Sequence, residues 1–274
     1  MRRSALAVCL ALPFALAACS AKADPNWREA DPENLMVIES TKGRIIVELR
    51  PDLAPQAVAR MKALTRAGVY DGLGFHRVID GFVAQTGNPG DVDGGKSSLP
   101  DLKPEFSARL APGAAFHPVA KRTDGAAGFL GAQPVEATSP AEDDRRGDGT
   151  TEFWGAYCPG VVGMGRGEAL DSANSEFFFM RGHARRLDRL YTVVGMTLDG
   201  IERVYALNAG EPPTQPDAMV RVRIASDIPE GERPRVTVMR AEGLEFQNHV
   251  GATRGQKRAD FTICDLRLAV KVEG

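Results

Sequence analysis

The chain lacks the residue patterns that support the commonest metal, redox and nucleic-acid sites. It has only four cysteines and four histidines in 274 residues, and no CxxC, HExxH or zinc-type Cys/His spacing occurs. A formal net charge of −2 is far from the basic balance of nucleic-acid-binding proteins, so we expect no nucleic-acid partner. The sequence also has no G-x-S-x-G elbow and no G-x-G-x-x-G loop. These absences favour chemistry that needs neither a metal nor a cofactor.

The N-terminus has the composition of a secretory signal. Arg2 and Arg3 precede an apolar stretch, residues 5–18, that is too short to span a bilayer. We therefore predict a signal peptide over residues 1–18 and a polar linker over residues 19–34.

Two processing routes fit this N-terminus. Leu16-Ala17-Ala18-Cys19 is typical of a lipoprotein signal, in which Cys19 is acylated and becomes the mature N-terminus. Ala21-Lys22-Ala23 fits ordinary cleavage instead, which would remove residues 1–23. Both routes predict export, and the first, which we favour, predicts a periplasmic protein tethered to a membrane by lipid.

The folded part keeps two cysteines, Cys158 and Cys264. In an oxidising compartment they can pair as a disulfide, or they can remain as two buried free thiols, and their spacing does not decide between the two.

Residues 35–227 are predicted to form one mainly-β domain. Apolar runs separated by turn residues indicate strands near residues 35–39, 44–49, 75–79 and 82–86. A helix beginning at Pro55 lies between these two hairpins. Four later runs, CPGVVGMG, SEFFFM, YTVVGM and MVRVRI, indicate further strands, and residues 199–208 fit a second helix.

Two segments depart from this pattern. Residues from about 88 to 154 are rich in Gly, Pro, Asp and Ser without any period, which predicts a long loop-rich insertion. Residues 228–274 contain RPRVTVMR and the alternating CDLRLAVKV, which predict a C-terminal extension of two or three strands. Within MVRVRI, Val220, Val222 and Ile224 alternate with arginines and are expected on one face.

Six motifs occur in the order found in one enzyme family. The most specific contains FHRVIDGFVAQTG, which ends at Gly87. Around it stand MVIESTKGRIIVELRPDLAP, GGKSS, PGVVGMGR, DSANSEFFFM and RLDRLYTVVGMTLDGIERV. Together these motifs resemble the cyclophilin-type peptidyl-prolyl cis-trans isomerases over about residues 35–226. The resemblance implies a closed antiparallel eight-stranded β-barrel capped by two helices, and we expect a monomer.

The resemblance also implies an activity, namely rotation about X-Pro bonds in segments of exported proteins that are still folding. The rotation barrier is about 18–20 kcal/mol because the amide must lose its resonance. As the bond twists, the prolyl nitrogen regains its lone pair and can accept a hydrogen bond. A fixed cationic donor therefore binds the twisted amide better than either planar form, and Arg77 would be this donor.

The same resemblance assigns roles to individual residues. Arg77 and Gln85 are expected to be catalytic, with Gln85 orienting Arg77 or binding the substrate backbone. The expected substrate-binding residues are Phe82, Val83, Gly165, Arg166, Glu176, Phe178, Leu187 and Tyr191.

Several positions depart from the usual family pattern. Arg166 stands where Asn is common, Glu176 where Gln is common, Arg186 where an aromatic residue is common, and Tyr191 where His is common. If Glu176 lies near Arg77, it will either hold the guanidinium in place or weaken its field. The alternative function is therefore a non-catalytic peptide-binding or chaperone module with the same groove.

Overall fold

The computed structural model describes residues 24–90 and 95–274. The predicted signal peptide and Cys19 lie outside the described residues. The β-strands are β1 (Trp27–Glu29), β2 (Leu35–Ser40), β3 (Gly43–Leu49), β4 (Arg77–Ile79), β5 (Val83–Thr86), β6 (Ala108–Leu110), β7 (Phe116–Arg122), β8 (Gly125–Leu130), β9 (Gln133–Thr138), β10 (Thr151–Gly155), β11 (Val161–Met164), β12 (Phe177–Met180), β13 (Val193–Asp199), β14 (Met219–Ile224), β15 (Arg235–Met239) and β16 (Val270–Glu273). The α-helices are α1 (Pro55–Arg66), α2 (Pro140–Arg146), α3 (Ile201–Tyr205) and α4 (Leu244–Lys257). None of these helices has the length and apolar character needed to cross a bilayer.

An eight-stranded antiparallel sheet forms the centre of the fold, in the order β14-β2-β3-β13-β11-β12-β5-β4. The predicted strand number and direction are confirmed, but "closed" overstates the barrel. The ends of the sheet meet through isolated bridges, Gly74 with Ala218 and Val78 with Gly210, rather than through a continuous ladder. The segment between these bridges contains three prolines, which have no N–H to donate to a continuous ladder.

Both faces of this curled sheet are buried. Successive side chains of a strand point to opposite faces. On β12, Phe177 and Phe179 lie in an inner core with Met36, while Phe178 and Met180 lie in an outer core. The outer core also contains residues from the insertion and from the C-terminal extension, which therefore cover the outside of the sheet.

Helix α1 closes the inner core and begins at Pro55, as predicted. Val58, Met61 and Leu64 recur at helical spacing and are buried in this core. The carboxylate of Glu105 accepts the N–H groups of the two residues after Pro55, at 3.0 and 2.9 Å. A negative charge at this end of a helix is favourable because it satisfies free N–H groups and faces the positive end of the dipole.

The structure corrects the prediction that residues 88–154 are loop-rich. In the described part of this segment, no strand or α-helix occurs before Ala108, but β6 to β10 then form a five-stranded antiparallel sheet. The glycines of β8 had the appearance of loop residues. A Cβ at Gly125 or Gly128 would overlap a carbonyl oxygen of the neighbouring strand. These glycines permit tight strand pairing. The glycine content of this segment therefore wrongly indicated loops in the sequence.

The C-terminal extension contains strands β15 and β16 together with helix α4, which was not predicted. Strand β15 forms where predicted, whereas β16 is shorter than the predicted CDLRLAVKV strand, because Ile263–Asp265 form a 3-10 helix and β16 begins only at Val270. Only Phe246, Val250 and Thr253 of α4 are buried, and Gly251 and Gly255 interrupt its pattern, so its helical period is weak. The predicted linker also contains β1, which pairs with β15. The partner of β1 lies at the other end of the chain, so no local pattern reveals this strand.

Strand β14 forms as predicted, but Val220 does not lie on its buried face. The pairing of β14 with β2 shifts register between Met219 and Arg221. The irregularity turns Val220 to solvent, with 59% of its surface exposed, while Met219, Val222 and Ile224 are buried.

A disulfide joins Cys158, which precedes β11, to Cys264 in the C-terminal extension, with the two Cα atoms 5.0 Å apart. Of the two states that the sequence leaves open, the structure has the disulfide. This bond ties the extension to the central sheet.

We expect Cys264→Ser to lower the free energy of unfolding by about 2–4 kcal/mol, because the bond closes a loop with a sequence separation of 106. Denaturant unfolding with and without a reductant measures this loss. Reductant should destabilise the wild-type chain and leave the variant unchanged. An equal response of the two proteins would mean that these thiols are not joined.

Candidate active site

The register of four neighbouring strands places the predicted catalytic residues in one row. Arg77 on β4 lies directly opposite Gln85 on β5. Gln85 lies opposite Phe178 on β12, and Phe178 lies opposite Gly163 on β11. Directly opposed residues of an antiparallel sheet project from the same face, so a guanidinium, an amide and an aromatic ring stand side by side.

Gly163, at the end of this row, has no room for a side chain. A Cβ at this position would lie 2.6 Å from the hydroxyl oxygen of Tyr157 and 2.8 Å from Cζ of Phe178. Tyr157 stacks beneath Phe178, with ring centroids 5.8 Å apart and an angle of 26° between the planes. Burial raises the pKa of Tyr157 well above its usual value, so this phenol remains neutral under the site.

The guanidinium of Arg77 is held from two sides. Nη1 donates to Oε1 of Gln85 at 3.2 Å, and Nε donates to Oε2 of Glu211 at 3.2 Å. Within the described residues, Nη2 has no acceptor, which leaves it as a donor for a bound molecule. The side chain is 31% exposed, so it is oriented by protein and only partly hydrated.

A buried carboxylate orients Gln85 from behind. Oε1 of Glu176 accepts a hydrogen bond from Nε2 of Gln85 and lies 3.2 Å from Nε2 of His76. Its Oε2 accepts from Nδ2 of Asn88 at 3.2 Å. Because the amide nitrogen of Gln85 is engaged with Glu176, its oxygen faces Arg77. Glu176 therefore acts through Gln85, from beneath the groove rather than from its wall.

Aromatic rings with arginines stacked on them form the walls of the groove. Phe82 lies in the turn between β4 and β5, with the Cζ of Arg77 5.9 Å from its ring centroid. Arg186 covers the same ring, with its Cζ 4.7 Å from the centroid. Tyr191 meets Phe178 edge-on, with centroids 5.8 Å apart. Stacking restricts both the rings and the guanidinium groups.

Arg166 and Gly165 follow β11 and form another side of the groove. The Cζ of Arg166 lies 4.4 Å from the ring centroid of Tyr191, and its Nε donates to the carbonyl oxygen of Leu190 at 3.2 Å. No described residue accepts the backbone N–H of Arg166, so this group is available to a peptide. Gly165 has no room for a side chain, since a Cβ would lie 2.8 Å from Cγ of Glu176.

These residues enclose a cavity of about 360 Å³, within the usual size range of small-ligand sites. Its lining residues are Arg77, Phe82, Val83, Gln85, Gly165, Arg166, Phe178, Leu187 and Tyr191. All of them are residues that the sequence predicts. The remaining predicted site residue, Glu176, does not line the cavity.

The insertion anchors one wall of this cavity, the short 3-10 helix Arg185–Leu187. Nη2 of Arg185 lies 2.6 Å from Oε1 of Glu136 on β9, and its Nε donates to Asp188 at 2.6 Å. Asp188 also accepts the backbone N–H of Tyr157 at 2.9 Å. Burial raises the pKa of Asp188 above its usual value. The predicted loop-rich segment is therefore a folded support for the groove.

Sequence reasoning missed three residues that shape the site. Gly163 lies inside the motif PGVVGMGR but was not singled out, and Tyr157 just precedes that motif. Glu211 has no recognisable signal, because its contact with Arg77 depends on the path of the chain between α3 and β14.

Comparisons with known proteins identify relatives over most of the chain. The family described as cyclophilin type peptidyl-prolyl cis-trans isomerase/CLD matches residues 35–226. Proteins named probable peptidyl-prolyl cis-trans isomerase from Brucella suis and Brucella abortus are 33% identical over 232 residues, covering 82% of this chain and 97% of each relative. The crystal structure of cyclophilin AquaCyp293 from Hirschia baltica matches with a TM-score of 0.83 and 34% identity, covering 90% of this chain and 93% of that chain.

We expect Glu176→Ala to lower kcat/KM about fivefold, because Gln85 loses the acceptor that orients it and one hydrogen bond contributes about 1 kcal/mol. Glu176→Gln keeps an acceptor oxygen and should retain most of the activity. Kinetics of both variants on one short proline peptide test this. Equal losses in the two variants would show that the negative charge, rather than the acceptor, is what the site needs.

Proposed function

The chain belongs to the cyclophilin-type peptidyl-prolyl cis-trans isomerases and acts on X-Pro bonds, and we propose that it assists the folding of exported proteins in the periplasm. Its substrates would be proline-containing segments of chains that have crossed the inner membrane. The observation that carries the catalytic part is the row Arg77, Gln85 and Phe178 beside an open cavity.

Rotation about an X-Pro bond requires a catalyst that favours the twisted amide. In the planar amide the lone pair of the prolyl nitrogen is delocalised, and in the twisted amide it is localised and can accept a hydrogen bond. Uncatalysed rotation takes tens to hundreds of seconds. An interaction that strengthens only as the bond twists lowers the barrier, whereas equal binding of both states does not.

Arg77 is placed to make this interaction. Gln85 and Glu211 hold two of its nitrogens, so Nη2 can donate to the prolyl nitrogen without a change in the position of the guanidinium. Preorganised donors of this kind avoid the cost of reorienting dipoles during the reaction. Phe82, Val83 and Phe178 would hold the prolyl ring and exclude water.

We expect Arg77→Ala to lower kcat/KM about 10- to 150-fold, since a charged hydrogen bond contributes roughly 1.5–3 kcal/mol. Most of the loss should appear in kcat, because the interaction forms as the bond twists. Arg77→Lys should fall between Ala and wild type, since lysine keeps the charge but not the fixed planar donor. Exchange rates of a short Ala-Pro peptide, measured by NMR, give these values without a coupling protease.

The matched control is Arg221→Ala, which removes an exposed arginine of β14 that does not line the cavity. It should keep wild-type turnover. Wild-type activity in Arg77→Ala would contradict the role of Arg77, and binding of proline peptides without any turnover would support the non-catalytic alternative.

The proposed location rests on the N-terminal sequence. The apolar run that ends at Ala18, followed directly by Cys19, supports lipid attachment. We also propose that the protein acts as a monomer.

We expect Cys19→Ser to release the protein from the membrane fraction of its host, because the acylated residue is lost. The intact mass and N-terminal sequence of the mature protein check this, and Cys9→Ser in the signal segment is the matched control. A mature chain that begins at Asp24 in the wild type would contradict lipid attachment and support ordinary cleavage.

A further inference from the structure

Two arginines at the groove have no acidic partner in the part of the chain that the structure describes. Within residues 24–90 and 95–274, no carboxylate oxygen lies within 4.0 Å of a guanidinium nitrogen of Arg166 or Arg186. Both groups are stacked on rings of the groove, Arg166 on Tyr191 and Arg186 on Phe82.

Neighbouring arginines differ in this respect. Arg77 pairs with Glu211, Arg185 with Glu136 and Asp188, Arg189 with Glu152, and Arg181 with Asp80. The chain as a whole has a formal net charge of −2, so unpaired positive charge beside the groove is a local feature rather than a consequence of composition.

The two unpaired groups differ in the donors that they have left. Arg166 uses Nε and Nη1 on backbone carbonyl oxygens, which leaves Nη2. Arg186 makes no hydrogen bond to any described side chain or backbone group through its guanidinium. A guanidinium that is stacked on a ring still presents its N–H groups at its edge, where they match the two oxygens of a carboxylate.

We propose that this isomerase prefers proline segments that carry Asp or Glu within two residues of the proline, and that Arg186 is the main determinant of this preference. The inference rests on the proposed function, because it assigns a substrate class to the same groove. An extended peptide advances about 3.3 Å per residue, so a side chain one or two positions from the prolyl ring remains close to the rim of the cavity.

The preference should be moderate because the rim is partly hydrated. Exposed ion pairs contribute about 0.2–1 kcal/mol to binding, and charge-assisted hydrogen bonds in drier sites contribute more. We therefore expect kcat/KM to be roughly three- to tenfold higher for an acidic peptide than for its amide counterpart. The ratio should fall as salt is added, since salt screens charges near the surface.

The test compares peptides that differ at one residue. Ala-Xaa-Pro-Phe peptides with Xaa as Glu, Gln or Lys, together with a set carrying the same residues after the proline, are measured by NMR exchange at low and high salt. We expect the order Glu, Gln, Lys in at least one set. Arg186→Gln should bring the ratio of Glu to Gln close to one, and Arg186→Glu should favour the Lys peptide.

Arg235→Gln is the control, because it makes the same change in charge on β15, which belongs to the separate sheet β1-β15-β16, whereas Arg186 is stacked on Phe82 in the groove. It should leave the ratio unchanged. Equal rates for Glu, Gln and Lys peptides with turnover intact would overturn the proposed preference and leave the isomerase activity standing. A preference that persists in Arg186→Gln would overturn the assignment to Arg186. Absence of turnover with every peptide would instead contradict the proposed function.

Discussion

The active-site geometry depends first on the register between β4, β5, β12 and β11. Arg77, Gln85, Phe178 and Gly163 are directly opposed across these strands, so backbone hydrogen bonds set the spacing of the donor, the amide and the hydrophobic floor. A slip of one residue in any pair would turn that side chain to the other face of the sheet. The buried rings on both faces of β12 make such a slip costly, so packing of the two cores also protects the site.

The segments outside the central sheet stabilise the groove rather than forming separate units. The insertion provides Glu136, which pairs with Arg185 in the wall of the cavity, and Glu105, which caps helix α1. Trp154 of the insertion packs under the guanidinium of Arg189, whose Cζ lies 4.7 Å from the ring. The C-terminal extension covers the outer core and is tied to the chain before β11 by the disulfide. Neither segment lines the cavity.

Charge is distributed unevenly around the groove. Two carboxylates, those of Glu176 and Glu211, orient hydrogen-bond donors beside the cavity. Glu176 acts on the reaction centre through Gln85, while Glu211 contacts Arg77 directly and fixes Nε. Both carboxylates orient donors, and both also reduce the positive potential at the prolyl nitrogen. Arg166 and Arg186 add positive charge beside the groove, and no described carboxylate pairs with either of them. The site thus combines Arg77, the proposed catalytic donor, which is restrained by two partners, with two arginines that pair with no carboxylate among residues 24–90 and 95–274.

The sequence alone determined the family resemblance, the main strands and the whole lining of the cavity, because the motifs place particular residue types at positions that the sheet brings together. It also indicated that Glu176 influences the site, but it did not show that Glu176 lies beneath Gln85 and orients its amide. Tertiary structure decided the rest. Strand β8 of the insertion contains glycines that are typical of loops but here allow close strand pairing, and strand β1 pairs with a partner at the other end of the chain. The contact of Glu211 with Arg77 arises only when segments far apart in sequence meet, and local patterns carry no information about such meetings.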